Sequence, residues 1–201
     1  ANMMVNAKEV YSTYGSGIHN ISSSPAIKNV TVTGNTATTS SYAYGAGVYN
    51  ASSNPVLTYV TISSNTAFSS SNYSGSYAHG GGMYNFSSGP VLTNVMISGN
   101  RAYAYSINAG GGGIYNFSSH PVLTNVTIAN NKANGGTLAD SIGGGIVNSG
   151  SSPKIYNSIF WGNTKYNSTS SDIATSLTFT LKNSITQGYT TGVAADNNLV
   201  N

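Results

Sequence analysis

The chain has 201 residues, seven of them Lys or Arg and four Asp or Glu, with no cysteine and a formal net charge of +3. The missing cysteine excludes a disulfide framework and a thiolate metal site. Lys8, Lys28, Arg101, Lys132, Lys154, Lys165 and Lys182 are scattered along the chain, which argues against the clustered basic patch of a nucleic-acid-binding protein. No apolar run approaches the roughly 18 to 20 residues of a membrane helix, so membrane insertion is not expected, and Ala1-Asn2-Met3-Met4 lacks a basic-then-apolar signal segment.

Residues 1–14 read as a partial first turn, because Ala7 stands one repeat length before Ala37. From Gly15 a single theme takes over. GSGIHNISSSPAIKNVTVTGNTA returns as GAGVYNASSNPVLTYVTISSNTA from Gly45, GGGMYNFSSGPVLTNVMISGNRA from Gly80, GGGIYNFSSHPVLTNVTIANNKA from Gly111 and GGGIVNSGSSPKIYNSIFWGNTK from Gly143. The starts are 30, 35, 31 and 32 residues apart, a period that points to a solenoid or related array in which one repeat cannot bury its own apolar face. Residues 15–165 thus hold five clear repeats, 166–201 a degenerate last turn and tail, and 1–201 a single domain. The polar composition alone would suggest disorder, but Ile, Val and Leu at fixed offsets in five copies overrule it.

Within one repeat, Val48-Tyr49-Asn50 places an apolar residue inward and Tyr outward, and Ser52-Ser53-Asn54-Pro55 supplies turn chemistry. In Leu57 to Ile62 the apolar set is Leu57, Val60 and Ile62, so the two-residue alternation slips at position 59, and a slip of one reverses the buried face. That slip predicts a corner at Asn29, Tyr59, Asn94, Asn125 and Asn157, where Asn suits a left-handed backbone. A third side ends at Asn35, Asn65, Asn100, Asn131 and Asn163, and Ala37, Ala67, Ala102 and Ala133 mark a tight inward position. The stretches 38–44, 68–79, 103–110 and 134–142 differ in length and read as loops leaving at one edge.

The predicted fold is all-β: a parallel β-helix (solenoid) of about six turns with three short strands per turn. Gly triplets, a Pro in every copy and β-branched residues at period two oppose helical repeats. Stacking would align Ile18, Val48, Met83, Ile114 and Ile146 in one buried column, and Ile27, Leu57, Leu92, Leu123 and Ile155 in a second. Val32, Ile62, Ile97, Ile128 and Ile159 form a third. Asn20, Asn50, Asn85, Asn116 and Asn148 predict an amide ladder.

The Gly-Gly-Gly-Ile strings at 111–114 and 143–146, with Phe160-Trp161-Gly162-Asn163, resemble the paired GGAI and FxxN motifs of polymorphic outer-membrane protein repeats. The string is also similar to right-handed β-helix repeats of large secreted and surface proteins of bacteria, over about residues 15–188. The resemblance implies right-handed winding, export and, in several families, adhesion.

The enzyme alternative is a polysaccharide lyase or glycosidase, which needs clustered acids for calcium or paired carboxylates. Glu9 and Asp196 lie near opposite ends, and Asp140 and Asp172 read as solvated loop carboxylates rather than a catalytic pair. His19, His79 and His120 occupy three different repeat positions and read as surface histidines, so neither a metal site nor a catalytic relay is expected. No cofactor is implied. Thr31, Thr61 and Thr127 share an outward column, but it is interrupted and too irregular for ice binding.

The aromatic residues carry the functional expectation. Tyr49, Tyr84 and Tyr115, continued by His19, predict an outward stack, while Tyr42, Tyr44, Tyr73, Tyr77, Tyr103 and Tyr105 load the excursions. Tyr presents a flat apolar face and a polar tip, suited to sugar rings, to proteins and to self-association. The expected role is a non-catalytic secreted or cell-surface structural or adhesive module. It would bind a surface glycan or a host or neighbour-cell protein through these tyrosines, or self-associate end to end through uncapped ends.

Overall fold

The computed structural model describes residues 6–7, 12–70, 75–105, 108–137, 141–167, 169–187 and 198–200, and it is all-β over that range. Short strands stack coil upon coil into five sheets of five to seven strands, giving a parallel β-solenoid of about five turns. The second repeat shows the plan. Val48–Ala51 lies in the first sheet, Val56–Thr58 in the second, Thr61–Ser63 in the third, Thr66–Ser69 in the fourth and Tyr77–His79 in the fifth.

Each coil therefore has five strands, where the repeat pattern predicts three. One additional sheet straddles the starts of the stretches read as loops, with Thr36–Thr39, Thr66–Ser69, Arg101–Ala104 and Lys132–Asn134 paired in parallel, and the other lies within them, as Tyr42–Tyr44, Tyr77–His79, Ala109–Gly110 and Ser141–Ile142. Their inward residues are small, so they lack the Ile and Leu signal that marks the other three sides. Ala37, Ala43, Ala67, Ala78, Ala102 and Ala109 are fully buried in an alanine-lined layer between the fourth and fifth sheets. Through the five clear repeats, length variation is confined to the link between those two sheets.

Four corners per coil carry a left-handed residue. The predicted corner at Asn29, Tyr59, Asn94, Asn125 and Asn157 has φ from 50 to 55°. Ser22, Ser52, Ser87, Ser118 and Gly150 make another, and Gly34, Ser64, Gly99, Asn130 and Gly162 a third. The fourth is Gly15, Gly45, Gly80, Gly111 and Gly143, with φ from 52 to 65°. A Cβ at neighbouring Gly112 would lie 2.5 Å from the Lys132 backbone, so these triplets permit both the turn and a close approach of two chain segments.

The first two predicted apolar columns are in register through five coils. The third changes at its last rung. Ile128 pairs with Phe160, and Ile159 stands outward beside Thr127; Phe160 is 0% exposed and Ile159 42%. Ser158 takes the inward place of Val126, receiving the Val126 N–H on its Oγ at 3.1 Å, and the inward alternation continues in unchanged register to Phe160.

The Asn20 to Asn148 ladder forms as predicted, each Nδ2 donating to the next Oδ1 at 2.8 Å. It stops at Asn148, where Thr175 occupies the next rung. A second ladder, missed from sequence, runs through Asn35, Asn65, Asn100, Asn131 and Asn163, with amide-to-amide distances of 2.8 to 3.0 Å. Its last rung is Asp172: Asn163 Nδ2 donates to Asp172 Oδ1 at 2.7 Å, and the Gln187 N–H donates to Oδ2. Asp172 is fully buried, not a solvated loop carboxylate; Asp140, Glu9 and Asp196 lie outside the described residues. Burial outweighs the hydrogen bonds from Asn163 and Gln187 and holds the Asp172 carboxyl above its ordinary range.

At the ends, Ala7 pairs with Ala37 as the repeat count requires. The degenerate last turn stacks in register, Ile146 on Ile173, Ile155 on Leu181 and Ile159 on Ile185. The fourth sheet ends with Thr169–Ser170 turned antiparallel against Thr164–Lys165.

Candidate functional site

At the Gly corner the chain folds so that the outer faces of the fifth and first sheets turn toward each other. A Cβ on Gly15 would meet the Cβ atoms of Tyr49 and His19 at 2.9 and 3.0 Å, atoms that stand on the outside of the first sheet. The result is a re-entrant groove parallel to the coil axis, with aromatic side chains on both walls.

The first-sheet wall is the predicted stack. Tyr49 and Tyr84 lie 5.7 Å apart and 1° from parallel, Tyr84 and Tyr115 5.5 Å and 15°, and His19 packs edge-on to Tyr49 at 4.9 Å. The wall corrects one expectation: these tyrosines point away from the core yet are only 7 to 9% exposed, because the other wall covers them. Tyr14, Tyr44 and His79 from the fifth sheet reach across, Tyr14 to Tyr49 at 5.0 Å, Tyr44 to Tyr84 at 4.7 Å and His79 to Tyr115 at 4.0 Å.

The excursion tyrosines are carried on strands or beside them rather than on projecting loops. Tyr42 and Tyr44 lie in Tyr42–Tyr44 and Tyr77 in Tyr77–His79, and Tyr42 stacks on Tyr77 at 5.6 Å and 11°. Tyr103 lies in Arg101–Ala104 and joins a separate cluster on the fourth sheet: Phe68 stacks on it at 5.4 Å, Tyr105 meets it edge-on at 5.3 Å, and the Arg101 guanidinium sits 4.4 Å above its ring. The single edge expected from sequence is thus two surfaces. Tyr73 lies outside the described residues.

His79 is buried in the groove, not on the surface, and its Nε2 has no hydrogen-bond partner among the described residues. Burial pushes its pKa down to about 3, so it is a neutral ring packed with four tyrosines. Burial, reinforced by neighbouring tyrosines, raises Tyr44 and Tyr84 well above the usual phenol range; both stay protonated as donors. His19 and His120 are exposed. No cluster of three metal-ligating side chains occurs among the described residues.

Toward the N-terminal coils the groove opens into a cavity of about 260 Å³ lined by Tyr14, Tyr44, Tyr49, Tyr84 and Phe86. Toward the C-terminal coils it opens again where Val147 and Ala174 replace the tyrosines, with a volume of about 240 Å³ beside Tyr115 and Ile142. Two residues missed from sequence belong here: Phe86 and Phe117, stacked at 5.7 Å and each 41% exposed. Their signal was the residue after each ladder Asn, which is Phe in two successive copies. Compared with protein-family models, curated proteins and solved structures, the chain shows no match.

Proposed function

We propose that this solenoid is a non-catalytic structural and adhesive module of a secreted or cell-surface protein, holding glycan on the aromatic groove between its fifth and first sheets. The observation that carries the reading is the groove itself: parallel ladders of uncharged rings with phenol tips, mounted on strands whose backbone is hydrogen-bonded coil to coil. Flat rings bind sugars through their apolar faces and polar edges, and a rigid scaffold lowers the ordering cost of binding. Right-handed winding is the hand expected of parallel strands joined by crossovers, and it agrees with the similarity to polymorphic outer-membrane protein repeats. The lateral groove is favoured over end-to-end assembly because the last coil turns a strand antiparallel, so that edge no longer copies the repeat.

The test is a glycan-binding screen comparing wild type with a Tyr42→Ser/Tyr77→Ser double variant and a Tyr103→Ser/Tyr105→Ser double variant. Retention lost with the first pair and kept with the second supports the groove. Equal loss in both, or no retention by wild type, contradicts it, and release of sugar fragments would install the alternative, a carbohydrate-active enzyme.

A further inference from the structure

The outward column beside the tyrosine ladder runs Ile21, Ala51, Phe86, Phe117 and Ser149, one residue per coil in strict register. Ile21, Phe86 and Phe117 are large and exposed; Ala51, between two of them, is small and partly buried against the tyrosine cluster. The missing side chain leaves a notch. Its floor is the stacked pair Tyr49 and Tyr84, one wall is the exposed Phe86 ring, and Tyr14 and Tyr44 close the other side across the groove. Few ligand pockets are this small; a volume of about 260 Å³ falls just below the usual range for drug-sized ligands, which suits one ring rather than a long side-chain array.

We infer that the Ala51 notch is a subsite for one neutral pyranose ring of a glycan. The inference rests on the groove reading above and names the ligand that the open part of the groove takes. Three observations select it. No residue lining the notch carries a charge, so it offers no counterion to a uronate, a sulfated sugar or a phosphate. Its polar groups are phenols of Tyr14, Tyr44, Tyr49 and Tyr84, neutral donors and acceptors at the rims of flat apolar faces, matching a ring with hydroxyls at its edge and C–H bonds on its faces. A peptide strand, which would bind by adding to a sheet edge, finds none here. The flanking carbonyls are already taken, Ala51 O by the Ser22 N–H, Phe86 O by the Ser52 N–H and Tyr44 O by the Gly15 N–H.

The register supplies the test. Because Phe86 and Phe117 occupy the same column one and two coils on, Ala51→Phe extends an existing stack and fills the notch without demanding a new backbone. Binding of uncharged hexopyranose oligosaccharides (cello-, laminari- and mannohexaose) and of polygalacturonate is measured by calorimetry on the full chain, with unfolding temperature as the fold control. The expected result is binding of at least one neutral hexaose, weakened at least about tenfold by Ala51→Phe and by Phe86→Ala, with the Ala51→Phe chain as stable as wild type. A neutral hexaose bound equally by wild type and both variants overturns the notch while leaving the wider groove reading standing, and a preference for polygalacturonate does the same. Binding of none of the four overturns both. Should Ala51→Phe destabilise the fold, Phe86→Ala and Tyr14→Ser, both at exposed rings, decide the matter by the same criterion.

Discussion

Asn100 shows how a single side chain holds three coils together. Its Oδ1 accepts from both the backbone N–H and the Nδ2 of Asn65, and its own Nδ2 donates to Ile62 O and Asn131 Oδ1. Each buried group stranded by removing a partner costs about 1 to 3 kcal/mol, so Asn100→Ala is expected to lower stability by at least about 3 kcal/mol in urea unfolding. His79 makes the opposite case, a titratable group buried without a charge partner. Its pKa falls from 6.5 to about 3 on folding, with Tyr44, Tyr77, Tyr84 and Tyr115 as the ring neighbours facing it. Between those values the unfolded chain binds a proton that the folded chain refuses. Stability is therefore lost as pH falls through that window, at up to about 1.4 kcal/mol per pH unit. His79→Phe keeps a flat ring there and is expected to flatten the decline of unfolding temperature from pH 6.5 down to 4; an unchanged decline would place the titrating group elsewhere.

At the scale of the strand and its corner, the controlling feature is where the inward alternation slips. Tyr59 occupies a left-handed corner at φ 54° that Asn fills in the other four repeats. Left-handed backbone is strained for most side chains, so Tyr59→Asn is expected to raise stability by up to about 1 kcal/mol, read from the urea midpoint. The fifth repeat tests register directly: Phe160→Ala should cost about 3 to 5 kcal/mol and Ile159→Ser less than about 1 kcal/mol. These positions also show what was legible beforehand. The three apolar sides and the Asn corner were readable because bulky residues recur in phase, whereas the fourth and fifth sheets face a layer of Ala37, Ala67, Ala78 and Ala109 whose small side chains resemble loop composition. The Ile159 column was misassigned because Ser158, a polar residue in a buried place, conceals the slip. The tyrosine ladder was legible as a stack; its burial was not, because the opposing wall comes from the fifth sheet.

Across the described residues, the five clear coils pair with one another through five sheets and two amide ladders, so the aromatic side chains of the groove sit on a scaffold that is stiff along its axis. Stacked at about 4.8 Å per coil, five turns give a short body with a lateral groove, and negative-stain images over a concentration series are expected to show discrete particles rather than lengthening rods. The most direct test of the groove as the working surface is an NMR titration of the full chain with a neutral hexaose retained in the glycan screen. Shifts confined to Tyr14, Tyr44, Tyr49, Tyr84 and Phe86, with the sugar recovered intact, are what a non-catalytic aromatic groove requires. Shifts centred on Phe68, Tyr103 and Tyr105, or the appearance of shortened sugar, would contradict it.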